Sequence, residues 1–265
     1  MDKNKIKVIL LVAGEGTRLR PYTLDRPKCM VEINGISLID RQLAVLKSES
    51  LEDIVMIGGY KSDMLKREGM KLKINTRYHE TNMLWTLFCA EEELEGDVII
   101  SYGDIVYSRD ILKALLSSKA DIAVTIDTKW ESYWRARNED PLDDAETLKL
   151  RDDGSISEIG QKPKTIGEIE GQYMGLMKFS SKGIKQVKDL FHAACNNNKI
   201  LSKAPENAYM TDLLQALIKA GKPVQSVLID KSWIEVDTVD DLKSDVTLKR
   251  CNDCLLYTSP SPRDS

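Results

Sequence analysis

The chain has 265 residues, of which 42% are hydrophobic and 30% charged, a composition typical of globular proteins with a buried core. Its 38 Lys and Arg residues are balanced by 42 Asp and Glu residues, giving a net charge of -4. This balance excludes a general electrostatic attraction to nucleic acid or to an anionic membrane. Any phosphate chemistry must therefore rest on a local cluster of cations.

The cysteines and the apolar runs indicate a cytoplasmic protein. Five cysteines are scattered along the chain without an even disulfide framework, which suits a reducing compartment. The longest early apolar run, Val8 to Ala13, is too short for a membrane span or the core of a signal peptide. We therefore expect no membrane partner.

The last residues differ in character from the rest of the chain. Residues 254–265 contain the string CLLYTSPSPRD, which resembles a translated sequencing adapter, so we treat them as a non-native tail. We expect the domain to occupy residues 1–253. A second copy of the chain, or a C-terminal domain fused in the natural gene, remains open as a partner.

Apolar strands alternate with amphipathic helices in the first half of the chain. The predicted strands are 8–12, 54–57, 72–75, 98–102 and 120–126. The predicted helices are 37–47, 83–94 and one that begins after Ser108 as its cap. Because the strands are continuously apolar, the pattern predicts an α/β fold of three layers, with helices on both faces of a mostly parallel sheet.

The pattern changes in the second half. A turn at 152–155 separates two short apolar runs, 148–150 and 156–159, which predicts a hairpin. Later strands are predicted at 173–179, 224–229 and 233–236, and later helices at 184–194, 211–220 and from about 239. We therefore expect a mixed central sheet carrying a small mixed insertion at about 128–175.

A glycine-rich loop with an arginine follows the first predicted strand. Glycines let backbone N–H groups approach an anion, and a guanidinium donates to phosphate oxygens. The loop lacks the third glycine of the dinucleotide fingerprint, which disfavours a dehydrogenase, and the Gly-Lys-Ser/Thr ending of a Walker loop. By itself, Gly-x-Gly after a strand predicts a tight turn equally well. The candidate phosphate-binding residues are Ala13, Gly14, Gly16, Thr17 and Arg18.

A longer stretch of sequence favours phosphate binding. Residues 13–28, AGEGTRLRPYTLDRPK, resemble the signature A-G-x-G-T-R-L-x-P-x-T-x-x-x-P-K of the nucleotidylyltransferases that activate sugar phosphates and choline phosphate. The resemblance extends over residues 6 to about 248 and implies a Rossmann-like nucleotidyltransferase fold. It also implies that Arg18 and Lys28 bind the triphosphate and stabilise charge on its α-phosphate.

Two aspartates stand where predicted strands end. Asp104 follows Gly103 after one strand, and Asp237 ends the last one, at the edge where open α/β sheets bind ligands. Phosphoryl transfer needs a hard cation held by carboxylates, and the resemblance implies that this pair holds Mg²⁺. The alternative is that each aspartate only caps a helix.

The base and the acceptor are assigned mainly by resemblance. Tyr60 and Gly103 are expected to line the nucleotide site, whereas Asn82 either contacts a substrate or caps the helix that follows it. Aromatic and charged residues crowd positions 130–146. Aromatic rings can enclose a quaternary ammonium, and carboxylates suit a primary amine. The candidate acceptor-binding residues are Trp130, Arg137, Asp144, Tyr173, Asp212 and Glu235.

The acceptor region resembles cytidylyltransferases that act on phosphocholine or 2-aminoethylphosphonate. The resemblance therefore implies CTP and a small phosphate or phosphonate as substrates, with Mg²⁺ as cofactor and pyrophosphate as product. Two alternatives stay open: a sugar-1-phosphate nucleotidylyltransferase using dTTP, UTP or GTP, and a non-catalytic domain that senses nucleotide. The tryptophans of residues 130–134 equally suit ordinary core packing.

Overall fold

A computed structural model describes residues 6–256, with side chains described through residue 252. The strands of this part are β1 Ile6–Val12, β2 Glu32–Ile33, β3 Ile36–Ser37, β4 Ile54–Gly58, β5 Lys71–Ile74, β6 Asp97–Tyr102, β7 Ile105–Tyr107, β8 Ile122–Asp127, β9 Leu148–Leu150, β10 Ile156–Ile159, β11 Gln172–Phe179, β12 Gln225–Ile229 and β13 Trp233–Glu235. Its helices are α1 Leu38–Ser48, α2 Met83–Phe88, α3 Arg109–Ser117, α4 Trp130–Arg137, α5 Ser181–Asn196, α6 Met210–Lys219, α7 Val239–Lys243 and α8 Asp245–Leu256. Residues 257–265 of the expected non-native tail lie outside this description.

The central sheet has seven strands in the order β12-β8-β11-β6-β1-β4-β5. β11 runs antiparallel to both of its neighbours, and the other pairs are parallel. The mixed, mostly parallel sheet predicted from the sequence is therefore confirmed. In the register, Val12 lies beside Gly58 and Leu11 beside Tyr102, so β1, β4 and β6 end at one edge. The residues that follow these three strands therefore lie close together at that edge of the sheet.

The two faces of β1 carry different helices, which confirms the three layers. Ile9 and Leu11 belong to the core that includes α2, α5 and α6. Val8 and Leu10 belong to the core that includes α1, α3 and α4. Successive side chains of a strand point to opposite faces of the sheet. A strand covered by helices on both faces therefore needs an uninterrupted run of apolar residues.

The local predictions were partly wrong. The hairpin of β9 and β10 is present, but the helix predicted at 83–94 ends at Phe88 and is followed by a short 3-10 helix, Glu91–Glu93. The Glu93 carboxylate there pairs with Lys7 at 2.7 Å and Lys71 at 2.9 Å, which ties this segment to the sheet. Ser108 occupies the cap position of α3 without a side-chain cap hydrogen bond.

Several elements were not predicted at all. The strands β2, β3 and β7 are two or three residues long, too short to show a period, and the aromatic stretch 130–137 forms α4. No helix among residues 6–256 has the length and apolar character to cross a membrane. The cysteines with described side chains, Cys29, Cys89, Cys195 and Cys251, are unpaired.

Candidate active site

The glycine-rich loop after β1 folds back onto Lys28. Gly16 has a φ of +67°, and a Cβ atom there would lie 3.0 Å from the Cβ of Lys28. The hydroxyl of Thr23 donates to the Gly16 carbonyl at 2.8 Å, and the Lys28 amide donates to the Gly14 carbonyl at 3.3 Å. Position 16 therefore requires a glycine both for its backbone angle and for the close approach of the lysine.

The two predicted metal-binding aspartates meet because of strand pairing. β7 begins one residue after Asp104, β13 ends two residues before Asp237, and the two strands pair antiparallel. The Val236 amide donates to the Asp104 carbonyl at 3.0 Å. Gly103 packs against β1 so closely that a Cβ atom would lie 2.7 Å from Val12. The pairing thus brings both carboxylates to the edge of the sheet that carries the glycine-rich loop.

Lys28 bridges the two carboxylates. Its Nζ lies 2.7 Å from Asp104 Oδ2 and also donates to Asp237 Oδ1, while Arg18 lies 3.4 Å from Asp237 Oδ2. The Lys28 and aspartate side chains are 13–15% exposed, against 63% for Arg18. The structure therefore brings together the two cationic side chains predicted to bind the triphosphate and the two aspartates predicted to bind the metal.

The charges of this cluster stabilise one another. Burial disfavours the Lys28 ammonium, but the adjacent carboxylates outweigh it and raise the lysine pKa. Burial would likewise raise the pKa of Asp237, yet Lys28 and Arg18 bring that pKa below its ordinary value. At neutral pH the cluster therefore holds an ionised Asp237 against a charged lysine.

The pair has the donor atoms that a hard cation needs. Asp104 Oδ1 is buried and accepts no hydrogen bond from the described residues, which leaves a carboxylate oxygen available. Within residues 6–256 no group of three or more His, Cys, Asp or Glu side chains can hold a metal. A cation at Asp104 and Asp237 would therefore take its other ligands from substrate oxygens and water.

The helix-cap alternative is wrong for Asp237. The residue that caps α7 is Thr238, whose hydroxyl accepts from the Asp241 amide at 3.1 Å. Asp241 in turn accepts from the amides of Asp237 and Thr238 at 3.0 and 2.9 Å. The Asp237 carboxylate is therefore not used by the helix and points to the cluster with Lys28.

The glycine-loop cleft, which opens between this loop and the start of α2, has a volume of about 320 Å³. Most predicted nucleotide-binding residues line it: Ala13, Gly14, Gly16, Thr17, Arg18, Lys28, Asn82, Gly103, Asp104 and Asp237. Tyr60 is not among its lining residues, because its amide donates to Ala13 at 3.1 Å and its hydroxyl to the Leu24 carbonyl at 3.0 Å. Tyr78 lines the cleft instead.

Asn82 does not cap α2. It stands at the cap position, but its side chain donates to the Asn207 carbonyl at 2.8 Å. Its own amide donates to the Glu206 carbonyl at 2.8 Å. Asn82 therefore ties the cleft wall to the 3-10 helix Pro205–Asn207 while it lines the cleft.

A second, smaller cavity of about 210 Å³ adjoins the cleft and shares Met83, Tyr102 and Asp237 with it. We call it the carboxylate cavity, because four acidic side chains line it. Its lining residues are Met83, Tyr102, Trp134, Asp144, Glu146, Gln172, Tyr173, Met174, Gly175, Tyr209, Thr211, Glu235 and Asp237. Of the predicted acceptor residues, Asp144, Tyr173 and Glu235 are here.

The other predicted acceptor residues have structural roles. Trp130 is 3% exposed and packs in the core against Trp134. The Arg137 side chain is 3% exposed and donates to Glu235 and Asp241, both at 2.8 Å, so it holds the segment that carries Asp237. Asp212 accepts from the Tyr209 amide at 2.8 Å and thereby caps α6. Spacing along the sequence does not show which side chains face inward and which are bonded elsewhere.

Six polar or aromatic residues of this cavity were not among the site residues chosen from the sequence: Tyr102, Trp134, Glu146, Gln172, Tyr209 and Thr211. The amide of Gln172 donates to the Glu146 carbonyl at 2.6 Å, and the Thr211 hydroxyl lies 3.4 Å from Glu146 Oε1. Burial raises the pKa of Glu146 to about 7, opposed by that hydroxyl. The sequence offered one signal for Glu146, its position in the acidic stretch 140–146. That stretch contains several other carboxylates, so the signal did not single it out.

Comparison with known proteins is consistent with this geometry. The family of MobA-like NTP transferase domains matches residues 8–235. CTP:phosphoglutamine cytidylyltransferase of Campylobacter jejuni is 40% identical over 249 residues, covering 90% of this chain and 98% of that protein. Choline-phosphate cytidylyltransferase of Streptococcus pneumoniae is 37% identical over 106 residues, covering 38% of this chain and 46% of that protein.

A solved structure shows the same fold at low sequence identity. The inositol-1-phosphate CTP transferase from T. maritima superposes with a TM-score of 0.74 at 19% identity, covering 96% of each chain. The family match extends from β1 to β13, and so includes every residue of the cluster except Asp237, two positions beyond it. The chain therefore belongs to the family of MobA-like NTP transferases.

Proposed function

We propose that this chain is a Mg²⁺-dependent cytidylyltransferase that transfers CMP from CTP to a small acceptor bearing a phosphate or phosphonate and an amine. The observation that carries the proposal is the position of Lys28, 2.7 Å from Asp104 and in contact with Asp237, beside a glycine loop with Arg18. Cations placed where phosphate charge develops are the main requirement of phosphoryl transfer.

The proposed reaction is an in-line displacement. An oxygen of the acceptor's phosphate or phosphonate forms a bond to the α-phosphorus of CTP, the bond from that phosphorus to the bridging oxygen breaks, and its electron pair leaves with pyrophosphate. No general base is needed, because the attacking oxygen is already anionic at neutral pH. The chain's part is to hold the two substrates in line and to stabilise the charge with Lys28 and Arg18.

Asp104 and Asp237 are the residues that would hold Mg²⁺. The buried Asp104 Oδ1, which has no partner among the described residues, supports this assignment. Bound there, the ion would neutralise triphosphate oxygens. Lys28 contacts both carboxylates, so it limits their mutual repulsion and keeps them at the cleft before substrate arrives.

The carboxylate cavity supports an acceptor that carries a cation. Acidic side chains line a space continuous with the cleft, and a neutral sugar would bring no positive charge to those that lack an ion pair. The names of the relatives point to phosphoglutamine and choline phosphate as the acceptors of those enzymes. Phosphoglutamine, 2-aminoethylphosphonate and phosphocholine are accordingly the acceptors that we propose to test.

The experiment is a matrix of nucleotides and acceptors scored by pyrophosphate release. CTP, UTP, dTTP and GTP are each combined with Mg²⁺ and with one of the three proposed acceptors or glucose 1-phosphate. We expect release with CTP and at least one amine-bearing acceptor. Release that depends on glucose 1-phosphate and occurs with no amine would replace this proposal with a sugar-phosphate enzyme. Nucleotide binding without turnover of any acceptor would instead indicate a sensor domain.

A further inference from the structure

Two acidic side chains of the carboxylate cavity lack an ion pair within the described residues, although Arg137 and Arg18 are near enough to influence one of them, Asp144. Glu235 pairs with Arg137 at 2.8 Å, and Asp237 pairs with Lys28. By contrast, Asp144 and Glu146 form no ion pair with any residue in the described part of the chain, although both line the cavity. Carboxylates held in a concave site without a cation are suited to bind one from a ligand.

Glu146 is held in place by contacts from two distant elements. The side chain of Gln172, at the start of β11, accepts from the Glu146 amide at 3.2 Å and donates to its carbonyl at 2.6 Å. The hydroxyl of Thr211, in α6, lies 3.4 Å from Oε1. Lys203, a cation that influences Glu146, is itself paired with Asp212 at 2.7 Å. The carboxyl group is thus held in place but forms no ion pair among the described residues.

The aromatic rings of the cavity are already committed to other protein groups. Arg137 lies over the Trp134 ring, 5.4 Å from its centroid, and Lys203 lies over the Tyr209 ring at 4.4 Å. Tyr173 and Tyr102 pack edge to face with their centroids 5.6 Å apart. A quaternary ammonium is bound by ring faces within about 6 Å, and each of these rings already has a protein partner that occupies part of its surface.

We propose that Glu146, assisted by Asp144, binds a primary ammonium group of the acceptor and thereby selects it over the quaternary analogue. A primary ammonium has three N–H donors for carboxylate oxygens, whereas a trimethylammonium has none. Three methyl groups would also prevent close contact with the carboxylate. This inference rests on the proposed function, because it names the class of acceptor that the cytidylyltransferase uses.

The test uses two pairs of acceptors that differ only by three methyl groups on nitrogen. They are phosphoethanolamine with phosphocholine, and 2-aminoethylphosphonate with its N,N,N-trimethyl analogue. Since one hydrogen bond to a charged group contributes about 1.5–3 kcal/mol, kcat/KM for the primary member should exceed that for the quaternary member by about 10- to 150-fold. Quaternary members that react equally well or better would overturn the inference.

Variants identify the residue responsible. Glu146→Gln should lower kcat/KM for the primary amines by a similar factor, through KM, and lower it by a smaller factor for the quaternary acceptors, which lose only the attraction to the negative charge. Glu139→Gln is the matched control, because Glu139 is exposed and lies outside both cavities. A loss of kcat that is equal for all four acceptors would mean that Glu146 is only structural, and would refute its role in selection.

Calorimetry with CTP and Mg²⁺ separates this inference from the proposed function. If CTP is turned over and the quaternary acceptors are preferred, the inference fails and the cytidylyltransferase proposal stands. If CTP does not bind and no acceptor releases pyrophosphate, the proposed function fails, and the inference with it. If CTP binds but neither these four acceptors nor phosphoglutamine reacts, no acceptor amine is selected and the inference is overturned.

Discussion

Replacing Lys28 by methionine should weaken the fold and the chemistry while strengthening metal binding. Methionine keeps an unbranched chain but removes the ammonium that lies 2.7 Å from Asp104 and also contacts Asp237. Breaking a buried ion pair by removing one partner costs about 3–5 kcal/mol. Because the carboxylates are 13–14% exposed, we expect a value near the lower end, about 3 kcal/mol.

The expected loss is measurable as a melting temperature. For a chain of this size, about 3 kcal/mol corresponds to a decrease in Tm of about 6–12 °C in metal-free buffer at neutral pH. Mg²⁺ should then raise the Tm of Lys28→Met more than that of the unmodified chain, since the two carboxylates no longer have a competing cation. Turnover should nevertheless fall by about 10²- to 10³-fold, the cost of removing one donor to a developing oxyanion.

The difference in Tm between Lys28→Met and the unmodified chain should depend on pH because of Asp237. Its pKa is lowered below the ordinary value of 3.8, so the stability it contributes is present above that pH and is lost as the pH falls further. The gap in Tm between Lys28→Met and the unmodified chain should therefore narrow in strong acid.

Scanning fluorimetry in EDTA and in MgCl₂, with pyrophosphate release measured in parallel, tests these expectations. Lys66→Met is the control, because among the described residues Lys66 pairs with the exposed Asp63 alone, and exposed pairs contribute little. Equal melting of Lys28→Met and the unmodified chain in EDTA, with equal gains from Mg²⁺, would refute the reasoning.

Three further predictions concern the site. Asp104→Ala and Asp237→Ala should each lower turnover by orders of magnitude at saturating Mg²⁺ with the fold intact by circular dichroism, and near-normal turnover would remove that residue from the mechanism. The KM for 2-aminoethylphosphonate should fall as the pH rises from 6 to 8, because Glu146 has a pKa raised by burial to about 7 and must ionise to bind the amine. The charged side chains that influence this carboxyl belong to Asp144, Lys203 and Asp212. In Glu146→Gln the KM for 2-aminoethylphosphonate should vary with pH only as the phosphonate itself titrates. The same dependence of KM on pH in this variant as in the unmodified chain would contradict the role of Glu146 in binding the amine. Gly16→Ala should cost about 1–2 kcal/mol in a denaturant melt and also lower turnover, since the added methyl group meets Lys28 at 3.0 Å. The control Gly96→Ala, at a φ of +70° with no described atom within 4 Å of the new Cβ, should show the stability loss alone.

The phosphate and metal cluster was predictable because each of its parts is local. The glycine loop, Arg18 and Lys28 lie within one short stretch, and Asp104 follows a strand whose apolar run is plain in the sequence. Parallel strands end at a common edge, so their following residues must meet. The sequence did not show that the three-residue β7 pairs with β13, which places Asp237 beside Asp104.

The acceptor side was less predictable because it depends on how remote elements pack. Trp130 and Trp134 are four residues apart in α4, yet only Trp134 reaches the carboxylate cavity. Glu146 is one of several carboxylates in its stretch, and it is distinguished by Gln172 and Thr211, which come from other parts of the chain. Composition and spacing do not encode such contacts.

Transfer of CMP from CTP to the acceptor is tested most directly by tracing the α-phosphate of CTP into the product. CTP labelled with ³²P at that position is incubated with Mg²⁺, the purified chain and phosphoethanolamine, 2-aminoethylphosphonate or phosphoglutamine, and the products are separated. We expect label to move into a CMP-linked acceptor with the unmodified chain and not with a variant carrying both Asp104→Ala and Asp237→Ala. Label that stays in CTP with every acceptor, or moves equally in the variant, would contradict this expectation.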